Sequence, residues 1–166
     1  GFLSVIPIIY DDKSRMFVII SVYMAVTAIF FAMAVLRDPV RILAVVRNAW
    51  VVAGLFASIN GMLGYFNVFG LGETWAPISR AQGLFKDPNV LATFLIMPFV
   101  FLVQDIVVLK SRWSWLKIPV MIIIAGGLFL AFSRGAWVNA IASTGMMIGL
   151  SFLLSPSLAL RGRIIL

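Results

Sequence analysis

The sequence contains no cysteine and no histidine. Without cysteine there are no disulfide bonds and no thiolate metal sites. Without histidine the commonest general base and metal ligand are missing. Charged residues make up only 11% of the 166 residues, whereas soluble domains carry about a quarter. No glycine-rich phosphate loop, metal-ligand cluster, Ser/His/Asp set or close pair of carboxylates is visible, so the familiar motifs of soluble enzymes are excluded.

Apolar residues dominate instead, at 63% of the chain. A soluble domain of this size could not bury so much apolar surface, because part of any small domain faces water. The formal net charge of +7 raises the question of nucleic acid. However, the basic residues lie in short clusters between long apolar runs, as membrane topology requires. We therefore predict a membrane protein in contact with a lipid bilayer and no nucleic-acid partner.

Five apolar runs are long enough to cross a bilayer, which needs roughly 20 helical residues. They are Met16–Leu36, Ala49–Phe69, Val90–Leu109, Trp113–Phe132 and Ala136–Leu154. Helix is favoured over strand because the runs show no sustained alternation. The predicted fold class is all-α: a polytopic transmembrane bundle of about five spanning helices.

Basic residues predict the orientation of these spans. Eight of the 13 basic residues follow alternate spans on one side: Arg37, Arg41, Arg47, Lys110, Arg112, Lys117, Arg161 and Arg163. This bias predicts that their side is cytoplasmic. The longest link, residues 70–89, then faces outward. A link of this length between tight helical connections is more often functional than incidental, although disorder is the alternative.

The first residues carry an expectation of their own. The chain begins with Gly1, and the apolar run Phe2–Tyr10 is too short to span a bilayer. No basic region precedes it, so it does not have the pattern of a signal peptide. We interpret this run as the end of an earlier helix, and residues 1–166 as a single transmembrane segment of a larger protein.

Two arginines are predicted to lie at the outer membrane boundary. Arg80 is in the long link, and Arg134 lies between two spans with almost no loop around it. A guanidinium offers a planar donor fork suited to phosphate oxygens, so the pair could hold a lipid-linked diphosphate. The alternative is that each arginine extends to the lipid headgroups without a specific ligand. Asp87 and Pro88 predict the N-cap and first residue of the third spanning helix.

Other polar and small residues inside the spans predict helix contacts rather than chemistry. Asp105 is expected to pair near the interface, with Lys110 five positions away, and Asn60 to bond to another helix. Gly145 and Gly149 form a small-xxx-small pair that predicts a close helix contact. Asn139 is a weaker candidate for an outer cavity.

Two segments resemble the O-antigen ligase and polymerase family of bacteria. They are residues 80–92, RAQGLFKDPNVLA, and residues 133–136, SRGA. The family pattern is an arginine, a glycine-aromatic pair, a Pro-Asn step, and later Ser-Arg-Gly at the start of a helix. Residues 48–50 and 64–66 also look like the family, so the resemblance covers about Met16 to Leu154. Each motif is weak alone, and the order and spacing carry the resemblance.

The resemblance implies glycan transfer in the periplasm by a multi-pass protein of the bacterial inner membrane. A glycosyltransferase of this kind passes a saccharide from undecaprenyl diphosphate to an acceptor glycan or lipid. By analogy, Arg80 and Arg134 would bind the donor diphosphate, supported by Gly83, Asp87, Asn89 and Ser133. No metal or soluble cofactor is implied. A polymerase of O-antigen or exopolysaccharide biosynthesis is favoured over a ligase by a small margin.

The chain departs from the family in one respect. Family members are larger and carry a histidine, the proposed base, on a long outer loop. This chain has no histidine, so no catalytic residue is assigned and the segment is expected to be inactive alone. Two alternatives stay open: a fragment of a transporter or lipid-linked glycan flippase, and a membrane anchor in which the arginines are dispensable.

Overall fold

A computed structural model describes residues 12–109, 114–155 and 161–162. Over these residues the secondary structure is helical, with no strand. The helices are α1 (Asp12–Arg37), α2 (Pro39–Tyr65), α3 (Gly72–Trp75), α4 (Pro88–Val103), α5 (Ser114–Leu130) and α6 (Arg134–Leu154). A 3-10 turn covers Val68–Gly70, and a π-helical segment, Gln104–Leu109, continues α4. The predicted all-α class is confirmed.

Four helical segments are long and apolar enough to cross a membrane. They are Arg15–Arg37, Pro39–Tyr65, Pro88–Leu109 and Arg134–Leu154. A fifth apolar helix, Trp115–Leu130, is shorter. The arrangement agrees with the prediction of a polytopic bundle of about five helices, and the chain is a multi-pass membrane protein.

The second predicted span is wrong at both ends. It was expected over Ala49–Phe69, but the helix covers Pro39–Tyr65. At its start, Asp38 accepts a hydrogen bond from the Arg41 amide at 3.1 Å, so the helix begins before the arginines instead of after them. At its end, Asn67 and Phe69 have φ of 50° and 59°, left-handed values that a right-handed α-helix does not contain. The apolar run extends to Phe69, whereas the helix ends at Tyr65, so the run overestimates the length of the helix at this end.

Some predictions concern residues outside the described ranges. These are the earlier helix end at Phe2–Tyr10 and the basic or aromatic residues Lys110, Arg112, Trp113 and Arg163.

The chain divides into two compact units between Val46 and Arg47, within α2. In the first unit, α1 is largely apolar from Met16 to Leu36, and two hydroxyls in this stretch bond within the helix. Ser21 donates to the Phe17 carbonyl and Thr27 to the Tyr23 carbonyl, both at 2.8 Å. Such back-bonding satisfies a hydroxyl that has no water to bind.

In the second unit, α4 is the most buried helix. Leu91, Leu95, Pro98 and Leu102 are almost fully buried. The three leucines belong to the same apolar core as Ile124 of α5 and Ala136 and Ala140 of α6. The small residues at the start of α6 bring its backbone close to this core, because alanine leaves room for the leucines.

Small residues of α2 form a packing seam, which is where the close helix contacts occur. A methyl group added at Gly54 would lie 2.7 Å from Pro98 Cγ of α4. One added at Gly127 of α5 would lie 2.7 Å from Ser58 Oγ and 3.0 Å from its Cα. Because glycine has no Cβ atom, α2 packs against α4 and α5 at shorter distances than a larger residue would allow. Small residues at helix contacts are typical of helices that associate in lipid.

The close contact predicted at Gly145 and Gly149 is wrong within the described part of this chain. Nothing lies within 4 Å of a Cβ built at either glycine. The interhelical bond predicted for Asn60 is also wrong, because its amide donates to the Phe56 carbonyl of its own helix at 2.7 Å. The spacing of small residues along a helix does not reveal which of them face a neighbouring helix.

A buried ion cluster joins three helical segments at the end of this unit opposite the 70–89 link. Asp105, whose side chain is 7% exposed, pairs with Arg47 of α2 at 2.7 Å and with Lys117 of α5. The structural role predicted for Asp105 is confirmed, but its described partners come from other helices, and Lys110 lies outside the described residues. Because a lone carboxylate is costly in a membrane, the two cations fix where these helices meet.

Candidate functional site

The 70–89 link is an ordered structure that folds back on the helix ends. Trp75 accepts hydrogen bonds through its carbonyl from the Gln82 and Gly83 amides, at 3.1 and 2.9 Å. The Ala81 amide donates to the Leu130 carbonyl at 2.9 Å, and Ala81 is completely buried. The link is therefore attached both to itself and to the end of α5, and Arg80 has a fixed position.

Gly83 is one of the residues through which the link contacts α2. Its φ is +59°, and a Cβ there would lie 3.0 Å from the Gly61 nitrogen. Only glycine combines this backbone conformation with so close an approach. The described contacts of Gly83 are structural: it holds the link in place.

Arg80 caps the end of α5. Its Nε donates to the Ala131 carbonyl at 2.8 Å, and its Nη2 donates to the Phe132 carbonyl at 3.1 Å. The last carbonyls of a helix have no partner within the helix and carry its negative dipole end, so a cation there is favourable. Nη2 also donates to Asn89 Oδ1 at 3.0 Å. Arg80 therefore ties the link, α4 and the α5–α6 turn together.

Arg134 lies immediately after that turn, as the first residue of α6. Ser133 is the N-cap, and its Oγ accepts from the Ala136 amide at 3.4 Å. The Arg134 side chain is exposed and forms no hydrogen bond or ion pair with the described residues. The next residue, Gly135, has nothing within 4 Å of a Cβ position. The N-terminus of α6 is consequently open, with a guanidinium beside it.

The charge of Arg134 is unusual for its position. The N-terminus of a helix carries a partial positive charge, which favours acidic side chains and disfavours cations. The first turn of α6 contains no acidic residue. An anion bound at this turn would relieve that repulsion and would meet both backbone amides and a guanidinium, the combination that binds phosphate groups.

The start of α4 borders the same site. Asp87 accepts from the Asn89 amide at 2.6 Å and Pro88 occupies the first turn, so the predicted N-cap is confirmed. This carboxylate serves its helix, and Lys86 beside it is exposed. Asn89 contributes the side-chain oxygen that orients Arg80.

Aromatic rings form the apolar wall next to Arg134. Phe129 stacks on Trp137 with 5.2 Å between ring centroids, and the Trp137 indole donates to the Leu128 carbonyl at 3.2 Å. Tyr65, at the end of α2, lies 6.1 Å from the Phe132 ring. Aromatic residues with one polar edge favour the boundary between lipid and water.

The structure thus brings most of the sequence-predicted residues to one end of the second unit. Arg80, Asn89 and the turn before Arg134 are in direct contact, while Gly83, Asp87 and Ser133 shape the backbone around them. Asn139 instead is exposed and accepts from Ser143 at 2.9 Å. Capping of α5 by Arg80 was not predicted, and no sequence signal could have shown it, because the carbonyls that Arg80 contacts lie 51 and 52 positions away in the chain. No group of acidic residues able to hold a metal occurs in the described ranges.

No protein-family model, curated protein or solved structure matches this chain.

Proposed function

We propose that this chain is the donor-binding part of a bacterial inner-membrane glycosyltransferase of the O-antigen polymerase and ligase type. The protein transfers a saccharide from undecaprenyl diphosphate to a glycan or lipid acceptor on the periplasmic side, and extension of a polysaccharide is favoured over ligation. The observation that most supports this proposal is Arg134. It is an exposed guanidinium at the positive end of a 21-residue helix, without an acidic partner among the described residues.

Arg134 and Arg80 have different parts in this proposal. Arg134 contacts the diphosphate, together with the open amides at the start of α6. Arg80 is a positioning residue, because its guanidinium already donates to Ala131, Phe132 and Asn89. It holds the turn from which Arg134 extends. This division replaces the simpler expectation of two equivalent arginines on one headgroup.

The chemistry needs a site for a leaving anion. The acceptor hydroxyl oxygen attacks the anomeric carbon, and the bond between that carbon and the diphosphate oxygen breaks. The bonding electron pair leaves with the diphosphate, whose new negative charge faces Arg134. The hydroxyl proton passes to a base, which the resemblance places on a histidine that this chain does not contain.

The test is Arg134→Gln in the complete protein in cells, with purified protein for binding. Glycan extension is expected to fall about a hundredfold to a thousandfold, the usual loss on removing a donor aimed at a developing charge. Affinity for undecaprenyl diphosphate is expected to fall roughly tenfold to a hundredfold. Folding should be unaffected because Arg134 is exposed. Arg134→Lys should restore part of the binding, since a lysine keeps the charge and loses the fork.

Lys86→Gln is the matched control, because Lys86 is another exposed cation bordering the site. Unchanged glycan profiles and unchanged diphosphate binding in Arg134→Gln would favour the membrane anchor. Loss of solute or lipid-glycan export with intact transferase activity would favour the transporter or flippase. Arg80→Gln should lower both binding and stability, because it removes the cap of α5.

A further inference from the structure

A second concave surface lies beside the arginines, between the end of α2 and the folded link. It is a cleft of about 500 Å³. The side chains that decide its chemistry are Tyr65, Asn67, Glu73 and Ser79. Of these four residues, only Tyr65 also borders the site around Arg134, through its contact with the Phe132 ring.

The cleft is built on strained backbone. Three non-glycine residues here adopt left-handed backbone conformations: Asn67 with φ 50°, Phe69 with φ 59° and Ser79 with φ 54°. Two hydrogen bonds hold the strained turns: the Gly72 amide donates to Asn67 Oδ1 at 2.8 Å, and the Ser79 amide donates to the Ala76 carbonyl at 3.0 Å. Such conformations persist only where the surroundings enforce them, and they concentrate at ligand sites.

The cleft adjoins the arginine site directly. Ser79 precedes Arg80 in the chain. Tyr65, which also lines the cleft, has its ring 6.1 Å from that of Phe132, whose carbonyl accepts from Arg80. The cleft therefore borders Arg80 and the turn that precedes Arg134.

The lining is suited to hydroxyl groups. Glu73 is exposed and has no hydrogen bond or ion pair with the described residues, so its carboxylate oxygens can accept from a ligand. Tyr65 offers an aromatic face, and Ser79 a hydroxyl. No lysine or arginine is among the described residues that line the cleft. A carboxylate without an ion-pair partner accepts hydrogen bonds from neutral hydroxyls and repels another carboxylate.

We propose that this cleft binds an uncharged sugar ring of the lipid-linked saccharide, with Glu73 accepting hydrogen bonds from its hydroxyls. This inference rests on the proposed function, and it deepens it by naming the sugar class. The site selects neutral sugars over uronic acids.

The experiment compares three probes on the full-length protein in lipid nanodiscs. They are undecaprenyl diphosphate alone, the same lipid carrying glucose, and the same lipid carrying glucuronic acid. The wild-type protein should bind the glucosyl lipid about tenfold more tightly than the bare lipid, and the glucuronyl lipid less tightly than the glucosyl lipid. Glu73→Gln should weaken glucosyl-lipid binding about fivefold, the difference between a charged and a neutral acceptor.

Glu73→Gln should also tighten glucuronyl-lipid binding and leave the bare lipid unchanged. Asp38→Asn, which changes an exposed carboxylate in the first unit, is the control and should alter none of the three affinities. Equal affinities of the wild type for glucosyl and bare lipid, or no response to Glu73→Gln, would overturn the sugar site. Failure of the bare lipid to bind, with Glu73-dependent glucosyl binding intact, would overturn the diphosphate proposal and leave the cleft supported.

Discussion

Replacing Asp105 by asparagine removes the carboxylate that Arg47 and Lys117 share. The substitution keeps the size and shape of the side chain, so packing around it is preserved. Asp105 is 7% exposed, while each cation is 27% exposed. The two cations would then face each other across a neutral amide, at the junction of α2, the π-helical segment and α5.

The cost follows from the burial of these groups. Breaking a buried ion pair by removing one partner costs about 3–5 kcal/mol. Because both cations keep part of their exposure, we expect a value near the lower limit, about 3 kcal/mol, or roughly a 150-fold fall in the ratio of folded to unfolded protein. Arg47→Gln or Lys117→Gln should cost less, since Asp105 would keep one partner in either variant.

The assay is unfolding in mixed micelles by titration with sodium dodecyl sulfate, followed by tryptophan fluorescence. Glu73→Gln is the control, because it neutralises an exposed carboxylate and should change the free energy of unfolding by less than about 0.5 kcal/mol. If Asp105→Asn unfolds at the wild-type midpoint, the cluster is solvated and does not hold the helices together. A triple replacement of Arg47, Asp105 and Lys117 by apolar residues should recover much of the loss.

Two further predictions concern the link and the orientation of the helices. Gly64→Ala should destabilise the fold by about 1–3 kcal/mol in the same assay, because its Cβ would lie 2.8 Å from the Trp75 carbonyl carbon. Gly145→Ala, where nothing lies within 4 Å, should be neutral or stabilising, and equal effects of the two would refute the close approach. Since the chain lacks cysteine, a cysteine at Ser79 should react with an impermeant thiol reagent applied to intact cells, and one at Asn48 should not. Labelling of both, or of Asn48 alone, would contradict the predicted orientation.

The fold class could be predicted because lipid imposes few solutions on a continuously apolar chain. Capping at Asp87 was also readable, since it depends on residues adjacent in sequence. The ends of the helices were harder to predict. The helix α2 begins at Pro39 because arginines are tolerated at a membrane boundary. It ends at Tyr65 because Asn67 and Phe69 adopt left-handed conformations. Hydropathy reports neither effect.

The candidate site was predicted in part. Arg80 and Arg134 were identified as a pair, and the structure places the Arg80 guanidinium on the carbonyl two residues before Arg134. Their different environments could not be read from the sequence, because only the folded link shows that Arg80 caps α5. The Glu73 cleft had no sequence signal, since its lining depends on the conformation of the link.

Periodicity and composition by themselves determined that the chain is helical, apolar and organised in successive spans. These properties depend on each segment alone, through the need to satisfy backbone hydrogen bonds inside lipid. Only the tertiary structure decided which small residues of α2 receive a neighbouring helix and which cations share Asp105. It also decided that Arg134 is exposed while Arg80 is bound to backbone carbonyls. Such contacts join residues far apart in sequence, and their energies depend on distances that no local pattern contains.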